Sequence, residues 1–177
     1  MEFDRVVEKR QSIRNFSSKK VDWREVIKAI DSALQAPSAG NMQTLRFIIV
    51  SDRDKIKKLA DASQQDFVAK AQFVVVVCSD KSQIARMYED RAEMYSRHQA
   101  GAAIEHFLLK LVDLGLASCW IGAFSDEVVK GILQVPDDVN VEAILPVGYE
   151  LGKTKKRQKA NLDSVLYFDK YKNKYMK

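Results

Sequence analysis

Arg10, Ser12 and Arg14 alternate within KRQSIRNF, residues 9–16. In an extended chain that spacing puts two guanidinium forks and a hydroxyl on one side, a donor set suited to a phosphate. A basic surface turn is the plainer alternative for these residues taken alone. A second basic cluster, KTKKR at 153–157, is no more specific by itself. The other stretch with chemical content is PSAGNMQ, residues 37–43, which holds no carboxylate and no histidine. Gly40 and Asn41 tolerate unusual backbone angles, and Ser38, Asn41 and Gln43 carry neutral donors and acceptors. Such a loop suits something polar and uncharged better than it suits acid–base catalysis.

Several chemistries lack their residues. There is no GxxxxGK[ST] phosphate loop, no GxGxxG after a strand, no GxSxG and no HExxH. His98 and His106 are eight residues apart on one helical segment, out of line and more than two turns from each other, so they read as surface or interface side chains and not as a metal pair. Cys78 and Cys119 each sit in an apolar stretch without a CxxC partner. They read as buried thiols in a reducing cytoplasm.

The elements that must position these groups follow from hydrophobic spacing. The chain has 177 residues, 46% hydrophobic and 30% charged, and reads as one domain spanning 1–177. The N-terminal MEFDRVVEKR has no apolar core and reads as no signal peptide, and no apolar run approaches membrane-spanning length. Helices are predicted over 3–10, with Phe3, Val6 and Val7 on one face, and from Asp22 to about Ala36 behind a capping-box-like Asp22–Glu25. Further helical stretches are predicted over 53–60, 64–70 and 81–97, and a core helix follows from His98 to a left-handed cap at Gly115. Strands are predicted at Leu45–Val50, in FVVVVC, in LASCWIG, in VEAILPVGY and at 164–168. Another predicted helix begins after Ser125. The succession indicates an α/β or α+β layered domain. The net charge of +5 is uneven, since nine basic residues face two acidic ones from Lys153 onward. That tail could serve an acidic ligand, nucleic acid or simply solvation, and its aromatics read as packing on a partner subunit in preference to stacking on bases.

The motifs in combination are far more specific. RQSIRNF, then APSAGNMQTLRF, then GLASCWIGAF, then AILPVGY and a late KKR occur in order over nearly the whole chain. In this the sequence resembles the nitroreductase family of FMN-dependent oxidoreductases. The resemblance implies an α+β sandwich with a central, mostly antiparallel sheet flanked by helices. It implies an intertwined homodimer in which both chains contribute to each FMN site. Arg10, Ser12 and Arg14 would hold the FMN phosphate together with Lys155 or Arg157. Pro37, Ser38, Ala39, Asn41 and Gln43 would come from the partner chain to the ribityl and ring edge. Ile121, Gly122 and Ala123 would bring backbone N–H groups to the flavin.

By the same resemblance NADH or NADPH would give hydride to the flavin, then leave, and a small acceptor such as a nitroaromatic or quinone would replace it. No side chain is required as a catalytic residue and no metal is implied. A flavin carrier or redox sensor without turnover is the alternative. The sequence departs from the family pattern at Gln43-Thr44-Leu45, where Gln-Pro-Trp is usual, and at Gln99, where Asp is common. These departures bear on the substrate pocket more than on the phosphate motif. The small residues Ala100 to Ala103 fit a core helix and a dimer helix equally well, and the resemblance favours the dimer.

Overall fold

A computed structural model describes residues 1–176 of the chain. The sheet is built on β2 (Phe73–Ser79), whose FVVVVCS run is buried on both faces. An isolated run of β-branched residues without polar alternation suits a strand with neighbours on each side. It pairs antiparallel with β1 (Leu45–Val50) on one side and with β4 (Asn140–Gly148) on the other. A two-residue β3 (Ala117–Ser118) pairs antiparallel with β4, giving the order β1-β2-β4-β3. The register steps between Val77 and Cys78, where Val77 faces Ala143 and Cys78 faces Val141. Glu142 is the skipped residue, and its carboxylate accepts the Ser79 hydroxyl at 2.5 Å.

Period-two alternation along β2 divides the core into two layers. Val75 and Val77 face α2 (Trp23–Ala33) and α5 (Ala92–Asp113), against Val26, Ile104, Phe107 and Leu111. Val74, Val76 and Cys78 face α3 (Arg53–Ser63) and α6 (Asp126–Leu133), against Ile56, Leu59 and Val129. The arrangement is the α+β sandwich with an antiparallel sheet that the motifs implied.

The helix ends carry their own chemistry. Asp22 caps α2 by accepting the Arg24 N–H at 2.9 Å, while Glu25 turns to Lys28 at 2.8 Å and closes no capping box. α5 ends as expected at Gly115, φ 75°, where the Gly115 N–H reaches Val112 and the Leu116 N–H reaches Leu111. That pair of bonds is a Schellman closure, and it needs the left-handed residue.

Several expectations are corrected. Residues 81–97 do not form one helix: α4 (Ser82–Tyr88) and α5 are separated by a 3-10 turn at Glu89–Arg91, where Glu89 has φ 41°. α5 therefore begins at Ala92, earlier than His98. Residues 66–70 form a 3-10 turn. LASCWIG contributes only β3 and an isolated bridge from Ile121 to Ile144. Residues 164–168 are not a strand; α7 (Leu162–Val165) occupies that region, and among the described residues they pair with no strand of the sheet. On α1 (Phe3–Lys9) only Val6 is buried, while Phe3 and Val7 face outward. Among the described residues no helix is long and apolar enough to cross a membrane.

Candidate functional site

The stretch from Arg10 to Ser17 is extended because its backbone is tied to the end of the sheet. The Ile13 N–H donates to Ser118 O at 2.9 Å, the Ser17 N–H to Tyr149 O at 2.8 Å and the Leu151 N–H to Asn15 O at 2.9 Å. Ile13 and Phe16 turn inward and are buried, which leaves Ser12 and Arg14 on the outward side. Phe16 lies flat against Gly148: a Cβ there would stand 2.9 Å from Phe16 Cδ1. Gly148 is thus required by the closeness of this crossing.

The outward side chains line a cleft of about 770 Å³ with the segment from Thr154 to Lys159. Arg10, Ser12, Arg14, Lys155 and Arg157 all border it, so the structure brings the expected phosphate residues together across 140 residues of sequence. Lys156 and Lys159 add to them, and no carboxylate is in the wall. Arg10 leans on Glu105 at 3.4 Å, and Arg14 lies over the Phe67 ring at 5.9 Å. Among the described residues Arg14, Lys155 and Arg157 make no salt bridge. Behind this wall, burial pushes the Cys119 thiol up, and the Arg14 charge, the Ser12 hydroxyl and the Arg10 charge pull against it. Cys78 is pushed up to about 11, first by burial and then by Glu142, with the Lys130 charge pulling against them. Both thiols are free and protonated at neutral pH, so neither serves as a nucleophile.

The loop Pro37–Gln43 stands elsewhere on the chain. Gly40 and Asn41 are both left-handed, φ 57° and 56°, as the choice of Gly and Asn suggested. Pro37, Ser38 and Ala39 border a cleft of about 380 Å³ with Tyr88, Tyr95, His98, Gln99 and Ala102. Tyr88 and Tyr95 meet edge to face at 5.0 Å. Asn41 and Gln43 are exposed at the loop's outer side. None of these residues borders the basic cleft, so within one chain the two sets are not brought together.

Ile121 is fixed by a reciprocal pair of hydrogen bonds with Ile144, 3.1 and 3.0 Å. Gly122 and Ala123 follow it as an exposed turn, and their N–H groups have no backbone acceptor among the described residues. A side chain at Gly122 would meet nothing within 4 Å, so the turn opens onto free space. His98 borders the neutral cleft, while His106 Nδ1 lies 3.3 Å from Ser32 O in an ordinary structural contact.

Tyr88, Tyr95, Gln99 and Gly148 were not marked as site residues by sequence reasoning. The one available signal was Gln99, an uncharged polar residue on the apolar face of a core helix.

The basic cleft, the neutral loop and the open turn occur together on a fold found elsewhere. The nitroreductase family model matches residues 7–66 and 62–149. The "Putative NADH dehydrogenase/NAD(P)H nitroreductase" of Archaeoglobus fulgidus is 30% identical over 145 residues, 79% of this chain and 80% of that protein. The Bacillus subtilis FMN reductase (NADPH) is 26% identical over 91% of this chain and 71% of its own. The crystal structure of an FMN-dependent nitroreductase from Clostridium difficile R20291 superposes with a TM-score of 0.81 at 26% identity, covering 94% of this chain and 98% of that one. A family model that matches from α1 to the end of β4, on the same α+β sandwich, places the chain in the nitroreductase family.

Proposed function

We propose that residues 1–177 act as one FMN-binding domain of an NAD(P)H-dependent oxidoreductase that reduces small acceptors such as nitroaromatics or quinones. The observation that carries this is the basic cleft: Arg10, Arg14, Lys155 and Arg157 around Ser12, with no carboxylate in the wall. A phosphate dianion fits that donor set, and the free N–H groups of Gly122 and Ala123 fit a polar ring edge. The names of the Bacillus subtilis and Clostridium difficile relatives point to the same cofactor.

Bound FMN would supply the redox chemistry, taking two electrons as hydride from the nicotinamide and passing them to the acceptor. The chain's own residues do the rest. Arg10, Arg14, Lys155 and Arg157 neutralise the phosphate, and Ser12 donates its hydroxyl to it. Gly122 and Ala123 present backbone N–H groups where negative charge develops on reduction. Ser38, Asn41 and Gln43 offer neutral hydrogen bonds. The cleft lined by Tyr88, Tyr95 and His98 contains no acid and admits a planar, uncharged acceptor. With one pocket for donor and acceptor in turn, the kinetics follow a substituted-enzyme scheme.

Because the loop and the basic cleft lie apart on one chain, we place the loop at a second copy's cleft, in an intertwined homodimer. Trp23, Ile27 and Leu34 form an exposed apolar stripe on and just beyond α2 that supports such a contact. Two free buried cysteines support a cytoplasmic setting.

Denaturing the purified or FMN-reconstituted protein should release about one FMN per chain, and the yellow colour should bleach on anaerobic mixing with NADH or NADPH. A protein that takes up no FMN rules out the whole assignment. One that binds FMN but does not bleach with either nicotinamide is a carrier or sensor instead.

A further inference from the structure

Gln99 is buried on α5, 5% exposed, and its amide is engaged at both ends. Its Oε1 accepts the Ala39 N–H at 3.3 Å, and its Nε2 donates to Thr44 Oγ1. Thr44 is 2% exposed and stands immediately before β1, where its carbonyl accepts the Asp80 N–H at 2.9 Å. One side chain of the core helix therefore grips the loop near both of its ends.

Besides these bonds the loop packs at Gly40, where a Cβ would stand 3.2 Å from the Tyr88 hydroxyl and 3.4 Å from Met87 Sδ. The cleft bordered by Tyr88 and Tyr95 and a narrow crevice bordered by Gln43, Thr44 and Ala103 both meet the loop. Gln99 and Ser38 are in both walls. Between the two grip points the chain passes through consecutive left-handed residues, Gly40 and Asn41, and its internal bonds are Asn41 N–H to Ser38 O at 3.3 Å and Met42 N–H to Ala39 O at 3.0 Å. Packing at Gly40 fixes the middle of the loop, and the Gln99 hydrogen bonds fix it near both ends. The two grips need an acceptor for the Ala39 N–H and a partner for the Thr44 hydroxyl; a neutral amide supplies both, whereas a carboxylate would accept from both only by placing a charge in a buried site.

We infer that Gln99 and Thr44 form a positioning pair that sets the placement of Ser38, Asn41 and Gln43 and so tunes FMN affinity and the flavin's surroundings. This rests on the loop being an FMN contact.

The experiment uses the full chain carrying Gln99→Leu, Gln99→Glu, Thr44→Val or Thr44→Ser. FMN dissociation constants, the visible flavin absorption at saturating FMN, thermal midpoints and amide exchange at Ala39 are measured for each. Gln99→Leu and Thr44→Val should each weaken FMN by about three- to tenfold, the range of one ordinary hydrogen bond. Both should shift the flavin absorption band and speed Ala39 exchange. Thr44→Ser keeps the hydroxyl and should stay within about twofold of the parent. The double variant Gln99→Leu/Thr44→Val should be no weaker than Gln99→Leu, because both remove the same grip.

Gln99→Glu provides the variant that a bland packing role would not mimic. Its protonated acid can accept from Ala39 and donate to Thr44, and its ionised form can accept from both but puts a charge in a buried site, so its FMN affinity should approach the parent's at low pH and fall as pH rises and that charge draws water in beneath the loop. If the variants fold yet keep the parent affinity, spectrum and Ala39 exchange, the positioning role is wrong. If Ala39 exchange speeds up in Gln99→Leu while FMN affinity and spectrum hold, the grip is real but the flavin role is overturned. If the unsubstituted chain takes up no FMN, the assignment under it fails, and the inference fails with it.

Discussion

The basic cleft and the neutral loop solve positioning in opposite ways. In the cleft, backbone is fixed to the sheet end by Ile13, Ser17 and Leu151, and long side chains reach out from that fixed rail into open space. In the loop, the backbone itself is the presented surface, and a buried side chain, Gln99, holds it from below. The difference follows from what each must recognise. Attraction to a dianion falls off slowly with distance, so flexible arginines and lysines tolerate error. A neutral hydrogen bond is lost within a few tenths of an ångström, so its backbone must be set more closely. Charge can be supplied by reach, whereas neutral contacts need placement.

The largest effect expected from breaking this contrast is on the rail. Gly148→Ala drives a Cβ to within 2.9 Å of Phe16 Cδ1 and 3.3 Å of Cγ, in a buried contact with no flexible end to move. Overpacking of that kind costs about 1–3 kcal/mol. Urea denaturation should show that loss, and FMN affinity should drop with it because Ser12 and Arg14 shift with Phe16. Gly131→Ala is the control: it lies in α6 with nothing within 4 Å and should be neutral or slightly stabilising. Equal behaviour of the two would mean that the rail is soft.

Next come the reaching side chains. Arg10→Ala and Arg157→Ala each remove a charged hydrogen bond to the phosphate, on the order of 1.5–3 kcal/mol, so FMN should weaken roughly ten- to a hundredfold by equilibrium titration. Arg10→Ala should be the worse of the two, since it also strands Glu105 beside the cleft. Arg157→Lys should rescue part of the loss, because a point charge replaces a planar fork. Unchanged FMN content in Arg157→Ala would remove the segment after Thr154 from the site.

The two regions also differ in how they could be read from sequence. Arg10, Ser12 and Arg14 alternate within five residues, and extended backbone makes such spacing visible. Their meeting with Arg157 followed only from the family resemblance and left no local pattern, because the carbonyls of Ser118 and Tyr149 arrange it from other parts of the chain. In the loop, Gly40 and Asn41 announced left-handed backbone, yet the Gln99–Thr44 grip spans 55 residues and leaves no local pattern. β2 and the Gly115 cap were legible because burial on both faces and a left-handed φ select residue types directly. The break at Glu89–Arg91 carried no Gly or Pro to mark it. Residues 164–168 have the composition of a strand, but a strand needs a partner, and these residues pair with none of the four strands.

A smaller effect tests whether the cleft's charge is felt inside the fold. Raised thiol pKa values stabilise the fold up to the ordinary thiol range, and that stability is lost as pH rises through the folded values, for Cys78 between about 9 and 11. Above pH 9 the midpoint in urea should therefore fall, and Cys78→Val should flatten the decline. Cys119 has Arg14 and Arg10 pulling its thiol back, so it should ionise before Cys78 in thiolate absorbance at 240 nm, a conventional wavelength of about that value. Arg10→Ala should delay it. If the order were reversed, the guanidinium charges would be screened from the core.

The smallest effect is expected from the C-terminal lysines, where the cleft's logic stops. Phe168 and Asn173 close a turn, Phe168 N–H to Asn173 O at 2.8 Å, and Asn173 Nδ2 returns to Phe168 O at 2.9 Å. Lys174 takes part in this local structure, donating to the carbonyls of Asp163 and Leu166 and lying over the Tyr167 ring at 4.2 Å. Its removal would loosen the tail whatever the tail does, so it is left in place. Lys170 and Lys172 are exposed, and neither borders the basic cleft. Lys170→Ala/Lys172→Ala should therefore leave FMN content and turnover within about twofold of the parent, because exposed charges outside the cleft are screened by solvent and salt. If that variant instead lost a tight, salt-sensitive interaction with DNA or RNA while Arg157→Ala kept its FMN, basic charge in this chain would serve nucleic acid and not a flavin phosphate.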